Sequence, residues 1–311
     1  MPAPFLRILV THASKVHVND GFAMTRAAAG AGPVVRKAGA MVAVVERIPE
    51  LRERIADWRR SGARVALVPT MGALHAGHRA LVRLAREAAE RVVVSIFVNP
   101  RQFGPNEDYA RYPRTLEADL EALREEGADA AFVPAVAEMY APGFATEVDR
   151  AGARARSSRG RTGRGISTGV ATVVTKLLIQ SLPDAAVFGE KDWQQLVLVR
   201  RLVADLDLPV QHPARVPIVR EPDGLALSSR NLYLSPAARR IAPRLYETLR
   251  HLKAAAEAGE APLRALEDEG RRRLLAGRLR GRGLSDLPRC RHPRTRRRSR
   301  AAGAPACDRA A

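Results

Sequence analysis

Cysteine is almost missing from this chain: among 311 residues only Cys290 and Cys307 occur, both close to the C-terminal end. With no CxxC pair, cysteine-based metal quartet or disulfide framework available, a reducing, cytoplasmic setting is expected. Aromatic residues are scarce as well, while hydrophobic content is near half, the balance of an ordinary soluble globular protein. No apolar run approaches the roughly 20 residues of a membrane span. The longest, around Val92–Val98, has the length of a strand, so no membrane partner is expected.

Acidic side chains are depleted locally rather than throughout. Residues 1–40 carry 5 basic and 1 acidic side chains, residues 150–169 carry 6 and 0, and residues 281–311 carry 9 and 2. These stretches account for +17 of the net +19, leaving +2 for the other 220 residues. A nucleic-acid face would be interleaved with the folded pattern. This charge lies outside it, so no nucleic-acid partner is expected. The acid-poor, Ala-rich start reads as an extension over 1–40, either a transit-like segment or an over-long start ahead of Met24 or Met41. Periodic sequence begins at Met41.

From there, short apolar strands alternate with amphipathic helices. The spacing predicts a helix over Glu50–Arg60, a strand at Val65–Val68, a helix over His78–Arg91 and a strand at Val92–Val98. A helix from a Thr115 cap to a Gly127 stop follows, then strands at Ala130–Val133 and Ala185–Phe188. Asp192 is expected to cap the next helix, and Val216–Val219 to be a fifth strand. Ser235-Pro236 opens a long helix through Ile241, Leu245, Leu249 and Leu252. Pro262 opens another to about Leu275, weakened by Gly270. Continuous apolar strands separated by helices predict an α/β fold with a parallel sheet covered on both faces. Its ligand sits in the loops beyond the strand ends.

Four motifs fall in such loops. Pro69-Thr70-Met71-Gly72-Ala73-Leu74-His75-Ala76-Gly77-His78 joins a strand to a helix. Free backbone N–H groups and the positive dipole end there suit an anion. Gly72 and Gly77 permit close approach of a nucleotide. His75 and His78, three apart, can face one way; one imidazole can protonate a leaving oxygen. A metal pair would want a third ligand, which the sequence does not offer. Phe188-Gly189-Glu190-Lys191-Asp192-Trp193-Gln194-Gln195 repeats the strand-to-helix arrangement, with Lys191 placed to neutralise phosphate charge and Gln195 to bond a small polar substrate. In Leu225-Ala226-Leu227-Ser228-Ser229-Arg230-Asn231, two hydroxyls and a guanidinium suit a triphosphate; a turn with a capping serine is the plainer reading. Asn99 and Gln102, in Ser95–Phe103, offer neutral donors and acceptors suited to a hydroxy acid. Asp119 is either a solvated helix carboxylate or a contributor to holding Mg²⁺.

Together PTMGALHAGH, SIFVNPRQF, RYPRT, FGEKDWQQL and LALSSRNLYLS resemble, in order and spacing, the pantothenate synthetase (pantoate–β-alanine ligase) family, over about Met41–Val148 and Val170–Leu275. The resemblance implies a Rossmann-like nucleotide-binding domain at 41–225, the start of a smaller C-terminal α+β lid domain at 226–280, incomplete here, and a homodimer. It implies that pantoate attacks Mg·ATP to form pantoyl adenylate, which β-alanine then converts to the amide. It places Met71–His78, Gly189–Asp192, Val219 and Leu227–Arg230 on ATP, makes His78 the proton donor, and puts Gln102 and Gln195 on pantoate, with Gln102 near β-alanine as well.

Residues 150–169 depart from the family pattern, which ends in a run like RPGHFxGV. One permitted coding of Gly163–Gly169, shifted by one base after a preceding C, reads Arg-Pro-Gly-His-Phe-Asp-Gly. A local frameshift restored before Val170, with a second near residue 280 producing the basic tail 281–311, accounts for both odd segments. Three alternatives remain open at this point. They are an impaired or inactive copy that still binds ATP, another nucleotidyltransferase sharing the HxGH loop, and a nucleic-acid-binding protein.

Overall fold

The computed structural model describes residues 41–105, 107–149, 160–277 and 279. The expectations for residues 1–40, 150–159 and 281–311, the two cysteines included, lie outside them.

In chain order the elements are β1 (Ala43–Val45), α1 (Ile48–Arg60), β2 (Val65–Thr70), α2 (Ala76–Ala88), β3 (Arg91–Ile96), α3 (Leu116–Glu126), β4 (Ala130–Phe132), α4 (Val136–Met139), α5 (Gly160–Ser181), β5 (Ala185–Gly189), α6 (Trp193–Asp205), β6 (Gln211–Val216), α7 (Pro236–Ile241), α8 (Arg244–Glu257) and α9 (Leu263–Ala276). The strands form one sheet in the order β1-β4-β3-β2-β5-β6, with every pairing parallel. Side chains alternate across β2, so Val65 and Leu67 enter one apolar cluster while Ala66 and Val68 enter the other. The first cluster takes Leu51 and Ile55 of α1, Leu177 and Leu178 of α5, and Val199 and Leu202 of α6. The second takes Leu81 and Val82 of α2 and Leu123 of α3. Helices thus cover both faces, and the α/β expectation holds.

The order places the functional loops. The chain leaves β2 to build β3 on one side, and later returns to place β5 on the other. That reversal makes the C-terminal end of β2 the switch point at which open α/β sheets bind ligands. The loop after β2 therefore lies between those after β3 and β5.

Several boundaries differ from the sequence reading. The strand expected at Val216–Val219 is instead β6, at Gln211–Val216. Pro213 within it hid the pattern, but an edge strand tolerates proline. The long helix expected after Ser235 is broken into α7 and α8 near Pro243, whose ring cannot sit in a helix interior. Helix α9 runs unbroken through Gly270, where a Cβ would lie 2.5 Å from Leu252 Cδ1, so that residue serves packing on α8. Thr115 and Asp192 occupy their N-cap positions but make no side-chain cap bond. Short β1 and long α5 carry too little period in sequence to have been read. Beyond Arg240 the described residues hold the α8–α9 pair, packed through Leu252, Ala255 and Leu266. The chain divides into compact units between Arg239 and Arg240.

Candidate active site

The loop leaving β2 is fixed on several sides. The Thr70 hydroxyl donates to the Ser95 carbonyl (2.7 Å) and accepts the Gly72 amide (3.2 Å). Gly72 has φ +80°, and a Cβ there would stand 2.9 Å from an Asp119 oxygen, so glycine is required twice over. Asp119 on α3 is only 3% exposed. Its two carboxylate oxygens accept the Ala73 and Leu74 amides at 2.9 and 2.8 Å. The solvated-carboxylate reading of Asp119 is thereby corrected: it is a buried clasp that orients the loop. Ser229 adds a bond from its hydroxyl to the Ala73 carbonyl at 3.0 Å. Replacing Asp119 by alanine should orphan both amides and lower stability by about 1–3 kcal/mol, read as a drop in Tm on thermal unfolding.

At the start of α2 the two histidines cap the helix through each other. His75 Nδ1 accepts the Gly77 amide (3.1 Å), and His78 Nδ1 accepts the His75 amide (3.3 Å). This is a capping box with imidazoles in place of the usual hydroxyl and carboxylate. Each Nδ1 is an acceptor, so each neutral ring carries its proton on Nε2. The rings stack at 4.0 Å. Both are held neutral: burial and the nearby Lys191 lower His75, while burial, His75 and Lys191 push His78 down to about 3. The site at rest therefore offers two N–H donors at a helix N-terminus.

Lys191 and Asp192, in the short turn after β5, share a cavity of about 110 Å³ with His75, Gly77, His78 and Gln195. Gly189, Val219 and Leu227 also line it. Glu190 faces Arg215 instead, in an ion pair at 3.2 Å. The loop after β3 builds a second cluster beside the first. Asn99 is fully buried and bonds Gln102 (3.1 Å), and Gln102 Nε2 lies 2.9 Å from Met71 Sδ. Arg230 forms a two-pronged pair with Asp108 at 2.9 and 3.0 Å and lies over the Phe103 and Tyr112 rings. That pair raises the guanidinium pKa further, and any other anion at Arg230 would have to compete with it. Ser228 caps the short helix Ser229–Tyr233 by accepting the Arg230 amide.

Asp108 and Tyr140 carry no recognisable signal in the sequence. Tyr140 donates to Asn99 across 41 residues of chain (2.8 Å), and no local spacing encodes such a contact. No group of three or more His, Cys, Asp or Glu that could hold a metal occurs among the described residues. A larger cleft of about 720 Å³, lined by Arg52, Ile55, Arg59, Ile179, Gln180 and Leu182, contains none of the motif residues.

A parallel sheet with a donor-lined helix start at its switch point places the chain among nucleotide-binding α/β proteins. Within that class it belongs to the pantoate–β-alanine ligase family, whose family model matches residues 43–299. The pantothenate synthetase of Acidiphilium cryptum is 54% identical over 235 residues, covering 75% of this chain and 84% of that one. The crystal structure of the Thermus thermophilus pantothenate synthetase superposes with a TM-score of 0.70 at 49% identity, covering 76% of this chain and 83% of that one. The pantoate–β-alanine ligase of Francisella tularensis, solved with β-γ ATP and β-alanine, superposes at 0.63 with 36% identity, covering 67% and 79%.

Proposed function

We infer that this chain condenses pantoate with β-alanine at the expense of ATP, as its family membership supports, through a pantoyl-adenylate intermediate. The observation that carries the site assignment is the histidine capping box, which presents two neutral Nε2–H donors beside Lys191 at the switch point.

A pantoate carboxylate oxygen attacks the α-phosphorus, a P–O bond forms, and the bond to the β-phosphoryl oxygen breaks with release of pyrophosphate. His75 and His78 donate to phosphate oxygens, and Lys191 offsets the charge that moves onto the leaving group. Negative charge arriving with the triphosphate favours the imidazolium, so His78 can then pass a proton to that leaving group. Met71–His78, Gly189–Asp192, Val219 and Leu227–Arg230 line the nucleotide. Gln102 and Gln195 hold pantoate so that its carboxylate meets phosphorus in line. The β-alanine amine then attacks the acyl carbon, the C–N bond forms and AMP leaves. Mg²⁺ would enter as Mg·ATP and offset charge on the phosphates. The same reading has the chain acting as a cytoplasmic homodimer; none of the described helices is long and apolar enough to cross a membrane.

Product analysis tests the reading. The purified chain with pantoate, β-alanine and Mg·ATP should yield pantothenate, AMP and pyrophosphate in equal amounts. ADP as the nucleotide product, or AMP without pantothenate, would overturn it.

A further inference from the structure

Gln102 faces a substrate with whichever end of its amide its neighbours leave free, and those neighbours fix the choice. Asn99 is the intermediary. Its side chain is fully buried, and four groups surround its amide. The Arg101 backbone N–H donates to Oδ1 at 3.2 Å, and the Tyr140 hydroxyl donates to the same oxygen at 2.8 Å. On the other side, Nδ2 donates to the Gly169 carbonyl at 3.1 Å and to Gln102 Oε1 at 3.1 Å. A backbone N–H can only donate and a backbone carbonyl can only accept, so the Asn99 amide has one allowed orientation. Gln102 must then turn its oxygen inward and its NH₂ group outward, where Nε2 lies 2.9 Å from Met71 Sδ.

Tyr140 is built for this task. Its ring packs on Phe97 and Phe144, with the Arg101 guanidinium 5.4 Å above it. Burial pushes its hydroxyl up to about 12, so it stays a donor throughout the neutral range. Gly169 of α5 completes the arrangement, because a Cβ there would lie 1.9 Å from the Arg101 carbonyl. Only glycine brings its own carbonyl within reach of Asn99.

We propose that Tyr140 is a positioning residue which, through Asn99, presents the N–H face of Gln102 to an acceptor oxygen of the acid substrate. The proposal rests on the assignment of Gln102 to pantoate made above. Three consequences follow from the polarity alone. Asn99→Asp places an acceptor against Gln102 Oε1 and forces the glutamine to turn its oxygen outward. Gln102→Glu offers the acid an anion where it needs a donor. Tyr140→Phe keeps the ring contacts and removes one of the two donors that hold Asn99.

The test is a double-mutant cycle read by separate KM values for pantoate and ATP, with Tm alongside. Tyr140→Phe should raise the pantoate KM about 3- to 10-fold, the worth of one hydrogen bond, and leave the ATP KM unchanged. In a Gln102→Ala background the same change should move the pantoate KM less than about 2-fold, because the residue it positions is gone. Asn99→Asp should raise the pantoate KM as far as Gln102→Ala does. The proposal falls if Tyr140→Phe leaves the pantoate KM at the wild-type value, if its effect persists undiminished without Gln102, or if both KM values move together with Tm. A Gln102→Ala variant with unchanged pantoate kinetics would instead remove the assignment of Gln102 itself. Gln102→Ala impaired and Tyr140→Phe silent would sink the positioning role alone.

Discussion

Replacing His78 by alanine should lower kcat/KM for pantoate-dependent pyrophosphate release by about 10²–10⁴-fold, the range for removing a positioned proton donor. The loss has two parts. The Nε2–H proposed as the proton donor disappears, and the His75 amide loses the Nδ1 that now accepts it. The second part also loosens the first turn of α2, so the binding of ATP should weaken with it. The variant has a pH signature as well. His78 is held at about 3, against an ordinary value of 6.5. An unfolded chain takes up this proton as pH falls through 6.5, while the folded chain does not until about 3. Between those values the unfolded state binds more protons, so wild-type stability falls on acidification, by up to about 1.4 kcal/mol per pH unit for this one group. His75 is lowered too and contributes with the same sign. His78→Ala removes its own share, so its Tm should drop less than the wild-type Tm between pH 7 and pH 5. Parallel drops would show that His78 ionises freely in the folded protein.

Lys191→Ala should have the next largest effect, a loss of about 10²–10³-fold in the same reaction, typical of removing one group that stabilises transition-state charge. Its second consequence is readable without turnover. Lys191 is among the causes that lower both imidazoles, so taking its charge away should raise both. NMR titration of the ring protons would show it; unchanged histidine titrations would place Lys191 away from the pair. Arginine at 191 is a poor substitute, since its planar fork does not reproduce the compact point charge of an ammonium.

Much of this was legible in the chain. The apolar runs of β2, β3 and β5 are continuous because both faces are covered, and such runs announce a parallel sheet. The loop motifs stood out because glycine, histidine and lysine interrupt those patterns at strand ends. Residues whose meaning depends on distant partners were not legible. Asp119 reads as one more acidic residue on an exposed helix, and only the fold turns it onto the Ala73 and Leu74 amides. Tyr140 and Asp108 likewise take their roles from Asn99 and Arg230. Pro213 and Pro243 misled in opposite directions. One obscures an edge strand that tolerates it, and the other breaks a run whose apolar spacing is otherwise helical. Residues 150–169 show the boundary between the two kinds of information. Contacts of α5 with the Asn99–Gln102 loop are seen at Gly169, the last residue of the stretch that departs from the family pattern.

In the proposed reaction the nucleotide site adenylates an acid before any amine is needed. Pantoate-dependent exchange of labelled pyrophosphate into ATP, measured without β-alanine, tests that most directly. Exchange that requires pantoate and vanishes in His78→Ala is the predicted result. Exchange without pantoate, or none until β-alanine is added, would contradict it.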